Sequence, residues 1–138
     1  MSYRDMENIK LQYTVLIVED EALIRMSSAA TLEDAGFRIL EAGSSAEALD
    51  MLMEHTDIDV LMTDVRMPGA MNGLDLVALV HRAHPDILSI VVSGNTSAED
   101  ASHAGAIGFL PKPYMAASLV RTVTDLIQRN LAPLGRAA

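Results

Sequence analysis

A chain of 138 residues, half of them hydrophobic and 21% charged, suits one globular domain with a sizeable core. Its 10 Lys and Arg against 19 Asp and Glu give a formal net charge of −9, which argues against nucleic acid as a direct ligand and leaves proteins, cations and small phosphates. With no cysteine there is no disulfide or thiolate chemistry; Met1–Glu7 lack the apolar core of a secretory signal and no stretch is long enough to span a bilayer, so a cytoplasmic protein with no membrane partner is expected.

Residues 1–12 read as an N-terminal tail, 13–130 as the domain and 131–138 as a C-terminal tail. The first strand is expected over Thr14–Val18, ending on Glu19-Asp20-Glu21. A helix should follow from Glu21, carrying Leu23, Met26, Ala30 and Leu32 inward, with Glu21 as a first-turn partner of the helix dipole and Gly36 as the stop. Phe37–Leu40 alternates like a half-exposed strand. Ser44 or Ser45 should cap a helix that buries Leu49, Leu52 and Met53 and ends near Thr56.

The run Val60–Asp64 predicts a buried central strand that delivers one carboxylate to the rim of a sheet and breaks at Pro68-Gly69. Met71–His84 follows as a helix with Leu74, Val77 and Val80 at helical spacing and Pro85 beyond it. Leu88–Val92 is another strand, ending on Ser93. Ser97–Ala104 predicts a weak helix of alanine and polar residues. Ile107–Leu110 is a short strand that stops at Pro111-Lys112-Pro113. Leu119, Val120, Val123, Leu126 and Ile127 form the stripe of a last helix, ended by Pro133 and Gly135. Apolar strands separated by helical lengths imply an α/β fold: a five-stranded parallel sheet covered on both faces.

In such a sheet the chemistry gathers outside the carboxyl ends of the strands. The first strand delivers Glu19 and Asp20, the third Asp64, the fourth Ser93 and the fifth Lys112. Mg²⁺ takes oxygen ligands, so Asp20 and Asp64 could bind it directly and Glu19 through a water. A carboxylate held there can also accept a phosphoryl group. The transferred group spreads charge over three oxygens, which Mg²⁺, Lys112 and the Ser93 hydroxyl would meet. Clustered acids on one rim repel without a cation, so Asp64 reads as functional rather than as a turn cap. Arg66 reads either as a surface residue or as a phosphate contact. The four histidines read as non-ligands and the nine methionines as core filler.

Four motifs in order resemble the receiver domain of bacterial two-component response regulators. They are Val15–Glu21 with its acidic pair, Thr63–Gly69 around Asp64, Val91–Gly94 with Ser93, and Gly108–Tyr114 with Lys112-Pro113. The resemblance covers roughly residues 13–130. It implies a (βα)5 flavodoxin-like doubly wound fold with strand order 2-1-3-4-5. It implies Mg²⁺ as cofactor, with the position of Arg66 added to Glu19, Asp20 and Asp64 in the metal set. Asp64, Lys112 and Ser93 would carry the phosphoryl chemistry, and Ser93 and Phe109 the switch. The Lys112-Pro113 bond is expected to be cis.

The implied partners are a sensor histidine kinase or histidine phosphotransfer protein and a downstream protein target, the domain being a monomer or a phosphorylation-dependent dimer. Few residues follow the last helix, so a single-domain regulator is expected, signalling by protein contacts or serving as a phosphate sink. It would be no enzyme beyond autocatalytic phosphoryl acceptance and autodephosphorylation. The alternatives are a degenerate receiver that binds protein whatever its phosphorylation state, and a Mg²⁺-dependent aspartyl phosphatase. The phosphatase reading lacks a second Asp two residues past the nucleophile, where Arg66 stands. Three departures from the family pattern stand out: Glu19-Asp20 where Asp-Asp is common, a segment between Ser93 and Lys112 about one helical turn short, and a loop Gly69–Gly73 one residue longer than usual.

Overall fold

The computed structural model describes residues 13–131; the expected tails and the terminators Pro133 and Gly135 lie outside them, Leu131 excepted. The elements run β1 (Thr14–Val18), α1 (Ala22–Asp34), β2 (Arg38–Ala42), α2 (Ser45–Glu54), β3 (Val60–Asp64), α3 (Gly73–Ala83), β4 (Leu88–Ser93), α4 (Ala98–Ala104), β5 (Gly108–Pro111) and α5 (Ala116–Asn130). The strands form one parallel sheet in the order β2-β1-β3-β4-β5. This is the doubly wound arrangement, with β1 and β3 adjacent although β2 separates them in sequence. Among the described residues no helix is long and apolar enough to cross a membrane.

Strand side chains alternate between two cores, because successive residues point to opposite faces. Val15, Ile17, Val60, Met62, Ile90 and Val92 pack with α1 and α5 through Ala29, Leu32, Leu119, Val123 and Ile127. Leu16, Val18, Leu61 and Val91 pack with α2, α3 and α4 through Ala48, Leu52, Leu76, Val77, Val80 and Ala101. The stripe expected on α5 is buried, apart from the half-buried Val120.

Two helices turn differently from expectation. Leu23 and Met26 of α1 are 83% and 58% exposed, and Ala30 is exposed as well. The buried face is Ser28, Ala29 and Leu32, with Arg25 half-buried on the same side. Positions 25, 28, 29 and 32 follow the i, i+3, i+4, i+7 rule as well as the larger residues do. Short side chains at 28 and 29 let α1 lie close on the sheet. In α2, Met53 is 83% exposed, Ala48 and Leu52 are buried and Leu49 is half-buried. That helix ends at Glu54, before Thr56.

Caps fix the remaining boundaries. The Ser44 hydroxyl accepts the Glu47 N–H at 3.1 Å and starts α2. Asn72 and Asp75 form a reciprocal capping box at 2.9 and 3.1 Å, so α3 begins at Gly73 rather than Met71. Ser97 caps α4, which has seven residues and ends on Gly105 at φ +113°, a conformation suited to glycine. It is the helix that lies between Ser93 and Lys112. Glu21 occupies the N-cap of α1 without a side-chain cap bond.

Candidate functional site

The sheet register brings the acids and the lysine to one edge. Val18 stands opposite Thr63, Asp64 opposite Val92, and Ser93 opposite Pro111. Each strand ends within a residue of its neighbours, so Glu19, Asp20, Asp64, Ser93 and Lys112 leave the sheet together. The Lys112 N–H donates to the Ser93 carbonyl at 3.0 Å, carrying the ladder one step beyond β5. The Lys112-Pro113 bond is cis, as expected.

Lys112 Nζ donates to Asp64 Oδ2 at 2.8 Å and to Glu19 Oε1 at 2.8 Å. The Asp64 side chain is 13% exposed, that of Glu19 6% and that of Lys112 26%, so the pairs are partly shielded from water. Asp64 Oδ1 accepts the Val65 N–H at 2.7 Å. Glu19 Oε2 accepts the Glu21 N–H at 3.1 Å. Asp20 is exposed, and its carboxylate has no hydrogen-bond partner among the described residues.

Burial pushes the Glu19 carboxyl above the ordinary carboxylate range, and the Asp64 charge adds to the effect. The hydrogen bonds from Lys112 and Glu21 only partly offset it. Burial alone would depress the Lys112 ammonium; hydrogen bonds to Asp64 and Glu19, and their negative charge, outweigh it and hold the ammonium above the usual lysine range. Lys112 is thus a fixed positive charge at neutral pH.

Ligand atoms of Glu19, Asp20 and Asp64 lie within 4.8 Å of one another. Three carboxylates face one ammonium, which leaves two negative charges for a cation to balance. An all-oxygen set of this kind fits Mg²⁺. Asp20 is the freest of the three to hold it, since both oxygens of Glu19 and both of Asp64 already accept hydrogen bonds. Arg66 is exposed and forms no ion pair among the described residues. A guanidinium is no metal ligand, so this residue could serve a cation only through its main-chain oxygen.

Ser93 is buried, and its hydroxyl oxygen accepts the N–H groups of Asn95 and Thr96 at 3.1 and 3.0 Å. It holds the loop after β4 while its own proton stays free to be donated. Phe109 is half-buried and lines a hollow of about 280 Å³ with Ile107, Arg121 and Asp125.

One contributor was not singled out from the sequence. Arg25 Nη1 donates to the Glu19 main-chain oxygen at 2.8 Å, and its Nε reaches Glu41 Oε1 at 3.3 Å. Its signal was a cation one helical turn after Glu21, on the face later found to be buried.

Comparison with known proteins agrees with this geometry. The family model described as "Response regulator receiver domain" matches residues 15–124. The chain is 38% identical over 121 residues to the sensor kinase CckA of Brucella abortus, covering 85% of this chain and 13% of that protein. It is 35% identical over 118 residues to the transcriptional regulatory protein PdtaR of Mycobacterium tuberculosis, covering 83% of this chain and 57% of that protein. The chain thus spans only part of the length of these relatives. Among solved structures, the chemotaxis response regulator CheY4 of Vibrio cholerae aligns with a TM-score of 0.75 at 30% identity, over 87% of this chain and 99% of that one. A CheY-like receiver domain protein from Methanospirillum hungatei aligns with a TM-score of 0.79 at 25% identity, over 86% and 95% of the two chains. A family match that takes in β1 through most of α5, and every residue of the acidic edge, makes this chain a member of the response regulator receiver domain family of two-component systems.

Proposed function

We propose that Asp64 accepts a phosphoryl group from the phosphohistidine of a sensor kinase or a histidine phosphotransfer protein. The observation that supports this most is the placement of Lys112 Nζ, 2.8 Å from Asp64 Oδ2, beside the cluster of Glu19, Asp20 and Asp64. An Asp64 carboxylate oxygen would bond to phosphorus as the phosphorus–nitrogen bond breaks, and the leaving imidazole would keep the electron pair and regain a proton. Lys112 would meet one of the three equatorial oxygens, and the Ser93 hydroxyl a second. Asp20 and Asp64 would hold Mg²⁺ with Glu19 beside them; when bound, the cation supplies positive charge for the remaining oxygen.

The chemistry would stop at acceptance and later hydrolysis of the acyl phosphate, with no small-molecule turnover. Signalling would run through protein contacts on the face around Phe109, or the domain would drain phosphoryl groups from its donor. Ser93 would turn toward the phosphoryl group and Phe109 would follow it inward. The test is intact mass after incubation with acetyl phosphate, with and without Mg²⁺, on wild type and Asp64→Asn. The expected result is a Mg²⁺-dependent gain of one phosphoryl group that the variant lacks. A wild type that gains nothing would leave a receiver that binds its partners regardless of phosphorylation.

A further inference from the structure

Helix α1 reaches the acidic edge at two points on one face. Arg25 donates to the Glu19 main-chain oxygen at 2.8 Å. Three residues on, Ser28 Oγ and Tyr114 Oη share a hydrogen bond of 2.6 Å. Residues three apart lie on the same side of a helix. Glu19 is one partner of Lys112, and Tyr114 follows Lys112 by two positions. The contacts close a ring that runs Arg25, Glu19, Lys112, Tyr114, Ser28 and back along α1.

Tyr114 adds a side-chain tether on the far side of Lys112, whose own N–H is tied to the Ser93 carbonyl. Pro113 has no N–H to donate, and α5 starts only at Ala116. Ser28 is 5% exposed, and Tyr114 packs half-buried against the core between the sheet, α1 and α5. A hydroxyl buried there loses its partner outright if the other is removed, which costs more than losing a solvated bond. A lysine side chain also surrenders much rotamer freedom when held in one place, so the main chain beneath it must be fixed for Nζ to stay on Asp64.

We infer that Ser28 and Tyr114 are positioning residues that hold Lys112 on Asp64, with α1 as a brace between the two sides of the site. The inference rests on the reading of Asp64 as phosphoryl acceptor for its effect on rate, but its geometry can be tested alone. Lys10 and Lys112 are the only lysines of the chain, so each can be followed by peptide mass spectrometry after limited acetylation.

The variants are Tyr114→Phe, which keeps the ring, Ser28→Ala, and the two together. Acetylation of Lys112 relative to Lys10 should rise in each single variant by about three- to tenfold, the worth of one ordinary hydrogen bond. The double variant should go no further, and Ser28→Thr should restore protection. The rate of phosphorylation by acetyl phosphate at saturating Mg²⁺ should fall by a similar factor, with Mg²⁺ affinity unchanged by calorimetry. Lys112 acetylated at the wild-type rate in Tyr114→Phe would overturn the brace. A wild type that takes up no phosphoryl group would overturn the acceptor reading instead, and the acetylation ratio would still decide for or against the brace.

Discussion

Gly73 packs so closely on the main-chain carbonyl of Asp64 that a Cβ would overlap the oxygen and stand 2.8 Å from the carbon. The Gly73 N–H donates to the Val65 oxygen at 2.8 Å, and the Thr63 hydroxyl donates to the Asp64 oxygen at 2.8 Å. The first turn of α3 therefore fixes the peptide that follows the proposed acceptor, and with it the Val65 N–H on Asp64 Oδ1. Gly73→Ala should cost about 1–3 kcal/mol, as overpacking does, and slow phosphorylation as well. Asn72→Ala removes the cap of the same helix for about 1 kcal/mol without touching Asp64. Denaturation and acetyl phosphate kinetics on both variants check this: similar losses of stability but a rate defect only in Gly73→Ala are expected. Equal rates would mean that the close approach does not reach the acceptor.

Lys112→Ala leaves Glu19 buried without its ammonium. Stability should fall by about 1–3 kcal/mol, the cost of stranding a buried polar group. Mg²⁺ should still bind, because Asp20 and Asp64 remain. Chemical shifts of the α4, β5 and α5 amides should then stay put on phosphorylation. Wild-type shift changes in the variant would remove Lys112 from its assigned role.

Acidity should read the burial of Glu19. Its carboxyl is raised above the ordinary value, so the folded protein keeps that proton to a higher pH than the unfolded chain. The resulting stabilisation is complete below the ordinary carboxylate value and is lost as pH climbs through the raised one. In metal-free buffer, wild type should therefore lose stability relative to Glu19→Gln as pH rises above the ordinary carboxylate value. Urea titrations of the pair across that rise measure it. The opposite slope would show that the Lys112 pair outweighs desolvation.

The orientation of α1 gives a contrast within one helix. Leu32 is fully buried and Leu23 is 83% exposed. Leu32→Ala should cost about 2–5 kcal/mol, and Leu23→Ala should stay within about 0.5 kcal/mol of wild type. Thermal and urea unfolding distinguish them, and equal losses would contradict the packing described.

The strands were legible because each is a short apolar run that ends on a charged residue or a turn. Four such ends at one edge were enough to assemble Glu19, Asp20, Asp64, Ser93 and Lys112. The face of α1 was legible only at Leu32, expected inward and buried, because two stripes share its thirteen residues. One carries the bulky side chains Leu23 and Met26, and the other carries Ser28, Ala29 and Leu32. Hydrophobicity favours the first, and the close fit against β1 and β2 selects the second. The pairing of Glu19 with Lys112 across 93 positions was equally hidden, since composition does not show which acid of a pair turns inward. The Ser28 to Tyr114 bond left no mark in the sequence, both being ordinary residues 86 positions apart.

Helix α4 has seven residues, and only Ala101 among them is buried. Helix α5 anchors the other side of β5 with four. Hydrogen exchange sorts such layers by the work needed to open them. Amides of α4 should exchange through brief local openings while those of β3 and α5 wait for the whole fold to part. The α4 layer of the sheet is therefore the one that a perturbation of modest energy can rearrange, leaving the acidic edge and its central strand as the fixed frame of reference.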